Sequence, residues 1–174
     1  WGADTIYTGS TAVESGVSTD LNRIFADPDG MENPPANSNS NQHNDRVYAS
    51  AGNDYVWTGP GADIVFTYGG NDDISTGSED DIIDAGGGSN FVIAGLGHDL
   101  VATGDGADTI WLGSGNGKAT TAGGTDWVDA GDGDDIVDLG EGDDFAVGGR
   151  GDDQIDGGAG RDVLWGGQAI IISI

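Results

Sequence analysis

Apolar residues return along this chain at every ninth position: Val47, Val56, Val65, Ile74, Ile83, Val92, Val101, Ile110, Ala119, Val128, Val137, Ala146, Ile155 and Leu164. Within each unit the apolar residue points inward and its two neighbours outward, the alternation of a short strand. The preference for Val and Ile suits strands that stack into a narrow ladder. Two positions before each apolar residue stands Asp45, Asp54, Asp63, Asp72, Asp81, Asn90, Asp99, Asp108, Gly117, Asp126, Asp135, Asp144, Asp153 or Asp162. Two positions earlier again, most units carry glycine, among them Gly52, Gly61, Gly70, Gly97, Gly106, Gly133, Gly142, Gly151 and Gly160. Three coupled columns in one unbroken register predict a solenoid, with each unit burying its apolar residue against the next.

The units "GGRGDDQID" (148–156) and "GGAGRDVLW" (157–165) resemble the G-G-x-G-x-D-x-U-x nonapeptide of the RTX (repeats-in-toxin), or hemolysin-type, calcium-binding family. The resemblance covers residues 40–168, and "GADTIYTGS" (2–10) as one isolated unit. It implies an all-β fold, a right-handed parallel β-roll (β-solenoid) in which two nonapeptides make one coil of two short strands. The chain then divides into an isolated unit (1–10), an irregular excursion (11–41), the roll (42–168) and an apolar capping strand or the start of a further segment (169–174).

The same resemblance implies Ca²⁺ between successive turns on each edge, with roughly ten ions in all. One row of side-chain ligands would be Asp45, Asp63, Asp81, Asp99, Asp135 and Asp153, broken at Gly117, the next step of the count falling on Ile171. The other would be Asp54, Asp72, Asn90, Asp108, Asp126, Asp144 and Asp162. Backbone carbonyls of Gly131, Gly133, Gly140, Gly142, Gly149, Gly151, Gly158 and Gly160 would complete the shells. The chemistry is consistent with this: glycine reaches backbone angles closed to other residues, and Ca²⁺ takes six to eight oxygens in flexible geometry. Asn90 offers one neutral oxygen and Gly117 none, so the sites beside them are expected to be weak. Ala119 and Ala146 underfill the core. Thr58, Thr67, Thr76, Thr103 and Thr121 replace the first glycine of their turns, so the best sites are expected between Asp126 and Asp162.

Charge strengthens the case. Against 31 acidic residues there are 5 basic ones, a net charge of −26. Such a chain repels itself when compact and lacks the basic clusters that bind nucleic acid. With a core this thin, the chain is expected to be unfolded without Ca²⁺ and to fold on binding it. The absence of cysteine excludes disulfides and thiol chemistry, and no apolar run is long enough to span a bilayer. His43 and His98 have no nucleophile partner in the pattern, so no enzyme is expected. Nor is ice binding, since the residues between the turn glycines form no regular Thr or Asn array.

Some features lie outside the repeat. One outward face gathers Tyr55, Trp57, Phe91, Trp111, Trp127, Phe145 and Trp165, together with Ile93 and Val147. Such an apolar strip usually marks a contact surface, here for a partner protein or neighbouring domain. Within the excursion, "STDLNRIFAD" (18–27) has a capping start and apolar residues at helical spacing, predicting one short helix. The expected role is a calcium-folded structural module of a secreted or cell-surface bacterial protein, exported by a type I system as the family implies. An interaction or adhesion subunit is the alternative, and an accessory module of a secreted enzyme a minor one.

Overall fold

In a computed structural model, residues 5–7, 22–25, 44–49, 51–167 and 170–172 are described. They form strands and turns only, and every strand pairing is parallel. Nine strands make one main sheet and eight the other, and Gly123–Gly124 pairs with Glu141–Gly142 in a small two-stranded sheet. Successive units alternate between the two sheets, so strand neighbours lie two units apart: Tyr55 faces Asp73, which faces Phe91. Among the described residues no helix is long and apolar enough to cross a membrane.

The apolar column lines the space between the sheets. Val47, Val65, Ile74, Val92, Val101, Ile110, Val128 and Ile155 are fully enclosed. Ala119 and Ala146 sit in the same column and are equally buried. A second inward column runs two residues further on, through Ala49, Thr58, Thr67, Thr76, Ala85, Ala94, Thr103, Leu112, Thr121, Ala130 and Leu139. These positions correspond to the first glycine of the repeat. Thr58, Thr76, Ala85, Ala94, Thr103 and Leu112 extend their strands, as in Asp54–Pro60 and Thr109–Ser114; the others lie just past the strand end, and all of them widen the core. Four of the five threonine hydroxyls are used internally: Thr58 donates to the Thr76 carbonyl (3.2 Å), Thr67 to Ala85 (2.9 Å), Thr76 to Ala94 (3.0 Å) and Thr121 to Leu139 (2.6 Å).

Both ends depart from the nine-residue count. Thr5–Tyr7 pairs with Arg46–Tyr48, which places Ile6 opposite Val47 and makes the isolated unit the first rung of its sheet. Asn22–Phe25, inside the stretch where helical spacing predicts a helix, is instead a strand paired with Asp54–Trp57. Ile24 there faces Val56. An open sheet edge offers a row of backbone partners, and that pairing outweighs the local helical preference of four residues. The remainder of 11–41 lies outside the described residues, except that Asn22–Phe25.

At the other end Ile170–Ile172 pairs with Gln154–Asp156, and Ile171 faces Ile155. Nine-residue counting would put Ile171 in the aspartate row. The connecting turn is two residues shorter than the others, so Ile171 falls in the apolar column instead. Gly167, with φ of 55°, lies in that turn.

Candidate metal centre

The aspartates stand where each turn enters its strand, and their carboxyls fold back under the turn. Asp45, Asp54, Asp63, Asp72, Asp81, Asp99, Asp108, Asp126, Asp135, Asp144 and Asp153 are all buried, as is Asn90, while Asp162 is half-buried. From Asp63 onward, one oxygen of each of these carboxyls stitches the coils together by accepting the backbone N–H of the equivalent residue one coil earlier. On one edge the N–H of Asp45 reaches Asp63 Oδ1 (2.7 Å), that of Asp63 reaches Asp81 (2.8 Å), and that of Asp81 reaches Asp99 (2.9 Å). Gly117 cannot accept, but its own N–H reaches Asp135 Oδ1 (2.7 Å), and Asp135 in turn reaches Asp153 (3.0 Å). On the other edge the ladder runs without a gap from Asp54 to Asp162. Thus the two rows drawn from the sequence are two hydrogen-bonded columns, one of them interrupted.

The second oxygen tells what is missing. In Asp72, Asp81, Asp108, Asp126, Asp135, Asp144 and Asp153, Oδ2 is shut away from solvent with no hydrogen-bond partner. A carboxylate oxygen buried without a donor or cation is costly. Burial accordingly pushes the carboxyl pKa up, to about 7 for Asp81 and about 6 for Asp72 and Asp135. Charge on the neighbouring aspartates of the row adds to the effect at all three. Asp99, Asp108, Asp126, Asp144 and Asp153 shift upward for the same first reason. The Thr67 hydroxyl lies beside Asp72 and eases it downward, but its proton is committed to the Ala85 carbonyl.

Asn90 reveals what surrounds that second branch. Its Oδ1 keeps the ladder by accepting the Asp72 N–H (3.1 Å), and its Nδ2 donates to the carbonyls of Gly86 (3.3 Å) and Gly88 (3.2 Å). The side chain therefore turns an N–H₂ toward two oxygens of its own turn. In the aspartate units the same branch ends in Oδ2, which has no proton to give. A turn of carbonyl oxygens facing a buried carboxylate oxygen is a donor set for a hard cation. Among the described residues no three acidic or histidine side chains converge. Each ion would thus rest on one or two carboxylates and otherwise on backbone oxygen, as Ca²⁺ permits.

The turn glycines are required by two separate constraints. All eight carbonyl candidates, Gly131, Gly133, Gly140, Gly142, Gly149, Gly151, Gly158 and Gly160, have φ between 68° and 156°, where side chains are disfavoured. They also stack directly: a Cβ on Gly149 would lie 1.9 Å from the Gly131 carbonyl oxygen, and one on Gly151 1.9 Å from that of Gly133. The carbonyls of Gly131 and Gly140 already accept the N–H of Arg150 and of Ala159, both at 2.8 Å. Each retains a second lone pair for an ion.

The two weak points in the rows have distinct causes. Where Gly117 leaves out a carboxylate, Leu112 fills the room, its Cδ1 lying 3.1 Å from where a Cβ on Gly117 would stand. Where the first glycine is kept, the reverse holds: a Cβ on Gly148 would come within 2.4 Å of Asp153 Oδ2. At Gly148 and Gly157 the carboxyl five residues on takes the room a side chain would need, whereas Leu139 and Asp144, at the same spacing, are buried side by side.

A further ladder was not anticipated from the pattern. In many units the residue just before the ligand position accepts a backbone N–H from the coil that follows: Asn44 from Ala62 (3.0 Å), Asn53 from Asn71 (2.8 Å), Asn71 from Ser89 (2.9 Å), Asp80 from His98 (2.7 Å), and His98 Nδ1 from Asn116 (2.9 Å). The recurrence of Asn, Asp, Ser or His immediately before the aspartate was its signal. At the end of the roll Arg161 pairs with Asp143 and holds its carboxyl below the usual range, and Arg150 reaches Asp132 at 3.3 Å. Both pairs are exposed and screened, so they contribute little.

The aromatic strip drawn from the sequence, Tyr55, Trp57, Phe91, Trp111, Trp127, Phe145 and Trp165, falls on the eight-stranded sheet. Phe91 and Trp111 meet edge-on at 5.0 Å between ring centres, and Trp111 and Trp127 at 5.7 Å. Trp127 and Phe145 stack at 6.3 Å, and Phe145 reaches Trp165 at 6.0 Å. Tyr55 and Trp57 stand apart from this ladder, across the rung of Asp73 and Ser75. The other sheet carries a shorter row, Tyr48, Phe66 and Tyr68.

What this fold requires from outside is positive charge along two edges, and that places it among β-solenoids completed by metal ions. The profile of the RTX calcium-binding nonapeptide repeat (4 copies) matches residues 40–74, 66–101, 90–119, 120–146 and 140–169, and the chain belongs to this family. It is a calcium-binding structural module. No curated protein and no solved structure matches the chain.

Proposed function

We propose that this module stays unfolded until it meets millimolar calcium outside a bacterial cell, and that folding is its primary act. The observation that carries this reading is the row of enclosed Oδ2 atoms without a partner, from Asp72 to Asp153. A site that exists only in the folded state links ion binding to folding. An unfolded chain of charge −26 is also suited to passage through a type I exporter, with calcium drawing it into shape on the far side. Ions fill both rows, roughly ten in all, most tightly between Asp126 and Asp162. In this reading the module does no chemistry of its own, and the activity of its parent protein resides elsewhere. His98 serves a turn, and His43 lies outside the described residues. Far-ultraviolet circular dichroism in EGTA, then in excess Ca²⁺, tests the reading. Strand signal should be absent in chelator and return with calcium; a signal indifferent to chelation would sink it.

A second reading rests on the ring ladder from Phe91 to Trp165, whose Trp111 and Trp165 remain 38% and 64% exposed. It makes the folded roll an interaction or adhesion subunit. Replacing Trp111 and Trp127 together should abolish assembly while calcium folding persists. If folding and assembly fail together, the ladder serves the sheet alone.

A further inference from the structure

The aromatic face is broken once, and the break has walls and a floor. In register across three neighbouring strands lie Tyr55 and Trp57, then Asp73 and Ser75, then Phe91 and Ile93. These six residues line an open slot of about 440 Å³. Elsewhere along the ladder, from Phe91 to Trp165, rings on adjacent strands touch and leave no gap. Here an aspartate and a serine replace the rings of the middle rung, and Asp73 is exposed at the base of the slot. Tyr55 (40% exposed) and Trp57 (37%) present their rings to solvent on one side.

Strands in a sheet are spaced ~4.8 Å apart, so the two walls rise ~9.6 Å from each other. A group centred between them lies ~4.8 Å from either wall, inside the ~6 Å range over which a cation is attracted to an aromatic face. A carboxylate directly beneath adds charge of the right sign, and the chain's −26 still exceeds the roughly +20 of about ten bound calcium ions. We propose that this slot binds an organic cation of the quaternary-ammonium, choline-like class. Tyr55 and Phe91 flank the cation, Asp73 balances its charge, and Trp57 and Ile93 take its methyl groups. Ser75 offers a hydroxyl to the choline alcohol. The chemistry discriminates against the alternatives. A lysine ammonium holds its water too strongly to sit between rings, and a planar guanidinium reaches only one wall at a time. A neutral pyranose could stack but would leave the Asp73 charge unused. The slot is on the outer sheet face, while Asp54, Asp72 and Asn90, each directly preceding a slot residue, are buried; it depends on the calcium reading only in that the roll must be folded.

The test uses the calcium-loaded chain. Choline chloride is titrated against equal additions of sodium chloride, following tryptophan fluorescence and amide chemical shifts. A saturable response with a Kd on the order of 1 mM is expected, its shifts confined to residues around 55–57, 73–75 and 91–93. Asp73→Asn, at an exposed position, should weaken it about tenfold, and Phe91→Leu comparably. Trp165→Leu, at the far end of the ladder, should leave it unchanged. Circular dichroism in calcium shows which variants remain folded; if Phe91→Leu does not, Asp73→Asn decides. Phosphatidylcholine and phosphatidylglycerol vesicles form a second arm. Capture by the former alone identifies a lipid headgroup as the source, and binding of free choline without vesicle capture identifies a soluble cation. The proposal is overturned by the absence of saturation, by an equal response to methyl glucoside or sodium, or by an unaltered Kd in folded Asp73→Asn.

Discussion

The side-chain amide of Asn90 donates to the Gly88 carbonyl at 3.2 Å, within the same turn. Its partner bond to Gly86 makes this the one turn among those described whose ligand-position side chain satisfies its own carbonyls. An amide proton there does locally what a cation does in the aspartate turns. Asn90→Asp should therefore add an ion and remove a self-sufficient turn. Bound calcium, measured by equilibrium dialysis at saturation, is expected to rise by at least one ion per chain. At limiting calcium the variant should be less stable than the parent by about 1–3 kcal/mol, the cost of a buried polar group left unpaired. An unchanged ion count would mean that this turn already holds calcium despite its amide.

Proton binding offers a second way to relieve the same rows. The folded pKa of Asp81 is raised to about 7, and those of Asp72 and Asp135 to about 6, from an ordinary 3.8, chiefly by burial. A folded pKa above the unfolded one means that the ion-free roll gains from protonation. That gain is fully present below about pH 4 and is lost as pH climbs from there through about 6 and 7. Metal-free protein should accordingly show more strand signal at mildly acid pH than at pH 8. With saturating calcium the dependence should reverse, since protons then compete with ions for the same oxygens. Parallel pH titrations by circular dichroism, with and without calcium, read both directions.

The nine-residue pattern made the coil, the apolar column and both aspartate columns legible, because each depends on one residue type recurring at a fixed step. The threonine column was harder to read. Thr58, Thr67 and Thr76 look like damaged glycine turns in the sequence, yet all three are buried and inward, and Thr58 and Thr76 lengthen their strands. Their inward direction depends on where a strand ends, which the repeat alone leaves undetermined. Asn90 was legible as a departure but not as a donor, because the direction of its amide is set by the Asp72 N–H one coil away. Asn22–Phe25 was misread as helical since its pairing partner, Asp54–Trp57, lies across an excursion the count cannot bridge.

Stacking makes the glycines unequal. A Cβ on Gly113 would stand 1.9 Å from the Gly95 carbonyl oxygen, at a φ of 104°. At Gly87 the nearest such atom is the Asp105 carbonyl oxygen at 3.7 Å, an ordinary contact. Gly113→Ala should cost about 2–4 kcal/mol, combining backbone strain with overpacking against a fixed carbonyl. Gly87→Ala should change stability by less than about 0.5 kcal/mol. Neither substitution touches a carboxylate, so calcium-dependent urea melts compare them directly. Equal costs would show that the coils part easily and that stacking does not hold the glycines in place.

Leu112 and Gly117 share one space, and the sharing predicts non-additivity. The leucine is 3% exposed and its Cδ1 lies 3.1 Å from a Cβ placed on Gly117. Leu112→Ala alone should cost about 2–5 kcal/mol for the cavity it opens. Gly117→Asp alone should also destabilise, because Leu112 as placed here crowds the new Cβ at 3.1 Å and must shift to the kind of arrangement Leu139 adopts beside Asp144. Together the two changes give the new aspartate room to accept the N–H of Asp99, which finds no carboxyl one coil on in the present row. The double variant should then be more stable in calcium than the sum of the single costs, by a coupling of about 0.5–3 kcal/mol. It should also bind additional calcium, closing the break between Asp99 and Asp135. A double-mutant cycle by urea denaturation in saturating calcium measures the coupling, and equilibrium dialysis counts the ions. Simple additivity with no added ion would mean that the break at Gly117 comes from the turn backbone itself and not from the leucine beneath it.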